Sequence, residues 1–226
     1  MSPNYLPVQK NRFFAHSEKK YDQITWSRFA DVIQAFQDRI EGWYIDPIQT
    51  LQQGQSESAF AIAGLSCLLI DTLSQYVPLP SKPPGALPGY AFKEFIRQFL
   101  PHYSVNLPVQ ITHHRNGTTS YILTRLEDVI YHALRCGILH EAHATLYCGI
   151  YGLEGKRFKF FKAKYTKYGS NGRKCLTVVI DPNVLFNDTL AAFKKIMLDL
   201  ANPTPAFDPL RAKFKLKFHQ AFGVHV

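Results

Sequence analysis

Acidic residues are the scarce class in this chain. Its 226 residues carry 17 Asp and Glu against 26 Lys and Arg, a formal net charge of +9. An imbalance of that sign favours an anionic partner, nucleic acid being the commonest. Cysteine is sparse as well: Cys67, Cys136, Cys148 and Cys175 stand far apart with no CxxC pair. That spacing speaks against a disulfide framework and a zinc knuckle, and for reduced thiols. Long apolar runs are missing. The longest, Ala59 to Ile70, is interrupted by Gly64 and Ser66 and falls short of the roughly 20 residues a membrane span needs. The opening Met1-Ser-Pro-Asn-Tyr-Leu-Pro lacks the basic-then-apolar order of a signal peptide. The expectation is a soluble, cytoplasmic protein with no membrane contact.

What the chain does have is enough apolar matter for one good core. The hydrophobic share of 46% and aromatic share of 14% predict a packed globule and not a disordered chain. At this length a single domain over residues 1–226 is expected. It divides into a helical core over about 27–150 and an extension over 151–226.

Residues 1–25 read as irregular. Phe29, Val32, Ile33, Phe36, Ile40 and Trp43 recur at helical spacing, and Asp46-Pro47 is expected to stop or kink that helix. Leu51 to Ser58 reads as a short polar connection. A second helix, about Glu57 to Tyr76, is apolar over most of its surface and should lie at the centre. Asp71 sits inside it, either facing a site or holding a structural partner. The proline-rich stretch Val77 to Gly89 reads as a loop that could cover something. A third helix carries Phe92, Phe95, Ile96, Phe99 and Leu100 on one side, and Leu107 to Gly117 reads as a turn or loop. Thr124-Arg-Leu-Glu127 fits a capping box opening the next helix.

Past Tyr151 the composition changes. Lys156 to Tyr168 and Arg173 to Asp181 flank Gly169-Ser-Asn-Gly172, a β-hairpin signature. Residues 156–174 hold Lys156, Arg157, Lys159, Lys162, Lys164, Lys167, Arg173 and Lys174 and no acid. Phe158, Phe160, Phe161, Tyr165 and Tyr168 interleave with them, the mixture that single-stranded nucleic acid uses for stacking and backbone neutralisation. Lys-rich strands also guard sheet edges against aggregation. Asn187-Asp-Thr is expected to cap a further helix, Asn202-Pro-Thr-Pro205 to break it, and Leu210 to Phe222 to form a basic amphipathic segment.

The densest chemistry lies in Tyr131-His-Ala-Leu-Arg-Cys-Gly-Ile-Leu-His-Glu-Ala-His143. Arg135 is a permanent cation with a planar fork of donors suited to phosphate. His140 can move a proton near neutral pH. Charge stabilisation and proton transfer are two needs of RNA cleavage. Asp71, Glu141, His143 and Tyr147 are the auxiliary candidates. On a continuous helix the two key positions stand about 140° apart. Gly137 could loosen the helix, long side chains could converge, or two subunits could combine their residues across a two-fold axis; the last is favoured.

Arg135-Cys-Gly-Ile-Leu-His140 resembles the R-x4-6-H motif of HEPN domains. The setting is similar too, since those domains are bundles of four or five helices with the motif late in the bundle. The resemblance implies a mainly α, HEPN-like bundle with a C-terminal β-hairpin and additional helices, α+β overall. It implies a dimeric, metal-independent endoribonuclease of the toxin–antitoxin, CRISPR-linked or phage-defence kind. Such an enzyme cleaves by 2′-hydroxyl attack and leaves a 2′,3′-cyclic phosphate. Arg135 would clamp the phosphate and His140 would be the acid or base. The partners implied are RNA, a second copy and an antitoxin or regulator, with no cofactor. Two departures stand out: Cys136 follows the Arg where a polar residue such as Asn is common, and the hairpin lies beyond the minimal domain.

Three other readings compete. Arg135 could pair with Asp128, Glu141 or Asp71 and hold the helix in place. Cys136, His140 and His143, at i, i+4 and i+7, are all zinc-ligand types, without an evident fourth. A non-catalytic RNA-binding or partner-binding module would use the basic face alone.

Overall fold

The computed structural model describes residues 24–25, 27–54, 58–86, 89–115, 119–141, 147–164 and 174–222, and not the side chains of 113–115, 119, 121, 140, 141, 162–164, 174 and 175. The expectation for residues 1–25 therefore falls almost wholly outside the described residues. Among the described residues the fold is mainly helical with two small sheets. Among the described residues no helix is long and apolar enough to cross a membrane.

The first helix does not stop at Pro47. α1 (Phe29–Ile40) runs through a π turn at Glu41–Ile45 into α2 (Asp46–Gln53). Asp46 N–H donates to Glu41 O, five residues back. Proline has no N–H to continue an α ladder, and here the chain passes it by a wider turn instead of a break. The extra residue changes which side chains face inward. Ile45 and Ile48 are buried, whereas Trp43, expected on the apolar stripe, is 45% exposed. The polar connection is correspondingly shorter, since Leu51 to Gln53 are helical.

α3 (Ala59–Leu73) is the central helix. It touches α2, α4 (Tyr90–Phe99), the later helix α7 (Pro182–Ala201) and the motif segment. Ile62, Cys67, Leu69, Ile70 and Leu73 are all buried. α4 buries Phe92, Phe95 and Ile96 as its periodicity requires, but also Lys93. Lys93 Nζ meets Asp128 Oδ1 at 3.0 Å with both side chains nearly out of water.

Leu107 to Gly117 is not a simple loop. β1 (Asn106–Arg115) and β2 (Thr119–Arg125) form an antiparallel ribbon, irregular between Asn106 and Ile111. The capping box also fails. Arg125, not Thr124, is the N-cap of α5 (Leu126–Val129), without a side-chain cap bond. The buried Glu127 carboxylate instead accepts from Arg97 Nε at 2.8 Å and Arg125 Nε at 2.6 Å. Two cations outcompete a backbone N–H for that carboxylate.

In the extension, β4 (Phe158–Lys164) and β5 (Lys174–Ile180) are the expected antiparallel pair, in register from Phe158↔Ile180 to Lys164↔Lys174. A third strand, β3 (Cys148–Ile150), lies parallel to β5 on its other side. α7 starts earlier than expected. Asp181, followed by Pro182 at the first helical position, accepts from Asn183 N and Val184 N. Asp-Pro satisfies the orphan amides, which leaves Asn187 in the helix interior. α8 (Asp208–Phe222) buries Leu210, Phe214 and Phe218, every fourth residue. Side chains from both parts of the chain share one buried cluster, from Ile24 to Phe218.

Candidate functional site

A second π turn, Ile130–Arg135, leads into α6 (Cys136–Glu141). Cys136 N–H donates to Tyr131 O, again five residues back. π turns re-aim side chains and recur at functional sites. Arg135 is the last residue of this one.

One face of α3 receives the segment. Gly64, Cys67 and Asp71 stand at i, i+3 and i+7, which superpose on a helix. A Cβ on Gly64 would lie 3.1 Å from Ile138 Cγ2, so the missing side chain lets α6 approach closely. Two turns further along, Arg135 Nη2 donates to Asp71 Oδ2 at 2.7 Å, with side-chain exposures of 20% and 31%. Of the three acids weighed as partners for Arg135, Asp71 is in contact, whereas Asp128 is engaged by Lys93. Burial works against the guanidinium charge, and the Asp71 carboxylate more than offsets it, holding Arg135 above its ordinary value.

The Tyr131 ring stands beside the pair, its centroid 5.7 Å from Arg135 Cζ. Gly89, at the end of the proline-rich loop, lies flat against that ring with φ +76°, and a Cβ there would fall 2.2 Å from a ring carbon. Of this loop, residues 80–85 are exposed, and its far end packs on the motif helix. His132 belongs to the buried side, edge-on to Tyr131. Cys67 of α3 lies near the pair, with Cys148 of β3 as its neighbour. Burial, then the neighbouring Cys148, raises the Cys67 thiol, and burial pushes Cys148 up to about 12.

The other candidates fall as follows. His140 and Glu141 lie on α6, but their side chains are outside the described residues, and so is His143 entirely. The backbone from Cys136 to Glu141 is continuous α-helix; Gly137 does not loosen it, and positions 135 and 140 keep their offset of about 140°. Tyr147 is half-buried against the core, its carbonyl accepting from Val178 N at 2.8 Å. Among the described residues no three His, Cys, Asp or Glu converge to hold a metal; the Cys136/His140/His143 set is not covered by that statement.

On β4 the alternation of lysine and aromatic residues is strand alternation. Phe158 and Phe160 pack against the core, while Lys159 and Phe161 are exposed, with Lys159 Nζ 4.8 Å from the Phe161 ring centre. Lys156 is exposed, and Arg157 makes two bonds to Asp188, at 2.7 and 3.1 Å. Lys162, Lys164 and Lys174 lie on the paired strands with side chains outside the description; Lys167 and Arg173 lie outside altogether.

Sequence periodicity identified neither Tyr131 nor Gly89 as part of this site. The only trace of Gly89 in the sequence was a glycine closing a proline-rich run. The chain matches no protein family, no curated protein and no solved structure.

Proposed function

We propose that the protein cleaves single-stranded RNA without a metal, at a site built by two copies of the chain, in the manner of the HEPN nucleases its motif resembles. The observation carrying this reading is the Arg135–Asp71 pair, held half-open to solvent where the π turn passes into α6. A cation kept charged and in place by a neighbouring carboxylate is suited to meet a phosphate.

In the reaction, the 2′-oxygen attacks phosphorus and gives its proton to a base. The bond to the 5′-oxygen then breaks, and that oxygen takes a proton. Arg135 stabilises the negative charge on phosphorus between these events. His140 supplies proton transfer, and two copies, one from each chain, would serve as base and acid. The 140° offset within one helix favours such a shared site over convergence inside one chain. A role in defence or in a toxin system, under an antitoxin or regulator, accompanies the resemblance.

A second reading is favoured by Lys156, Lys159 and Phe161 exposed on and beside β4: an RNA-binding module without catalysis, whose Arg135 only holds α6 to α3. Incubation with mixed single-stranded RNA in EDTA, beside His140→Ala, separates them. Cleavage with cyclic-phosphate ends, lost in the variant, is the expected result. Salt-sensitive binding without cleavage would leave the module. Activity only on adding zinc would instead favour Cys136, His140 and His143.

A further inference from the structure

The first π turn exposes an indole that the helical pattern would have buried. Trp43 is 45% exposed, and the Arg39 guanidinium lies 3.5 Å from its ring centre and 5.3 Å from that of Phe222. The next residue, Tyr44, bonds Thr72 Oγ1 at 3.0 Å. Thr72 adjoins Asp71, the partner of Arg135. Both π turns thus meet the same end of α3 through neighbouring residues.

We infer that Trp43 is a stacking platform for a base of single-stranded nucleic acid, with Arg39 as its fixed cation. An indole clamped by a guanidinium loses little side-chain freedom when a base arrives. Its open area can take the π-face of any base, which requires no sequence preference. The net charge of +9 supplies the attraction to the backbone. This inference rests on the RNA-binding part of the proposed function and not on catalysis.

The chain has two tryptophans, Trp26 and Trp43, so Trp26→Phe makes Trp43 the sole indole reporter. Full-length Trp26→Phe protein is titrated with oligo(U) and oligo(A), following indole fluorescence and, in parallel, the anisotropy of end-labelled RNA. Saturable quenching that tracks the anisotropy is expected with both oligomers. Trp43→Ala should weaken binding about 5- to 150-fold, with Trp43→Phe recovering most of it and circular dichroism unchanged. RNA binding without quenching, and at full strength in Trp43→Ala, would overturn the platform while leaving the RNA reading in place. Quenching by a protein extract but not by RNA would assign the indole to a protein partner and overturn it too. Absence of RNA binding by either signal would overturn both. Should Trp43→Ala fail to fold, the quenching titration alone decides.

Discussion

Replacing Asp71 by Asn tests whether Arg135 serves the reaction or only the fold. The guanidinium and carboxylate meet at 2.7 Å with 20% and 31% of their side chains exposed. A hydrogen bond between charged groups contributes about 1.5–3 kcal/mol net. Partial access of water to both groups places this pair toward the lower end, about 1.5–2 kcal/mol. For a chain of this size that corresponds to a melting temperature lower by roughly 3–8 °C. Arg135→Met should cost at least as much stability, since Arg135 also interacts with Cys136 and Tyr131, and the double variant little more than Arg135→Met, because the ion pair is lost in both. Cleavage is expected to separate them. Loss of a group that stabilises developing charge lowers the rate about 100- to 1,000-fold; Asp71→Asn keeps the cation and should stay within about tenfold. Single-turnover cleavage of labelled RNA in EDTA, with stability measured by urea unfolding, provides both readouts. Equal loss of cleavage in the two single variants would mean that Arg135 acts only through its ion pair. Full activity in Arg135→Met would refute the phosphate role outright.

Further outcomes follow from the packing. Gly89→Ala forces a Cβ to 2.2 Å from the Tyr131 ring at φ +76° and should cost about 2–4 kcal/mol; thermal melting reads it, and an unchanged melt would mean that the loop end does not sit on Tyr131. Lys93→Met leaves Asp128 buried and unpaired, at about 3–5 kcal/mol, whereas Lys93→Met with Asp128→Leu should recover most of that loss in the same urea series. Burial pushes the Cys148 thiol from its ordinary 9.0 up to about 12. Its contribution is full below pH 9 and is lost as pH rises toward 12, because the unfolded thiol ionises first. The alkaline fall in melting temperature should be shallower in Cys148→Ala, and native Cys148 should resist iodoacetamide at pH 8.

Read from the sequence alone, the helices come through wherever an apolar stripe repeats without interruption. Phe92, Phe95 and Ile96, or Leu210, Phe214 and Phe218, are legible because one buried face imposes one period. The β4–β5 pair is legible for the same reason at period two. The ribbon of β1 and β2 is not legible from an apolar stripe, and its one local signal is Asn116-Gly117 between alternating residues, a hairpin pattern. Local signals also fail where a distant charge competes for the same atom, as when Arg97 and Arg125 take the Glu127 carboxylate from its capping role.

For the candidate site, the sequence by itself determined that Arg135 and His140 lie on one helix, five positions apart, and that the chain is basic. Those properties need only chain order and residue type. Which acid Arg135 would meet was open among three, and only the fold brings Asp71, 64 residues away, into contact with it. The reason is that α3 offers a face with Gly64 at one end, where the absence of a Cβ lets α6 come close enough for the pair to form. Trp43 shows the same limit in reverse: a period of 3.6 places it inside, but Pro47 withholds one N–H, the helix widens to a π turn, and the indole faces water.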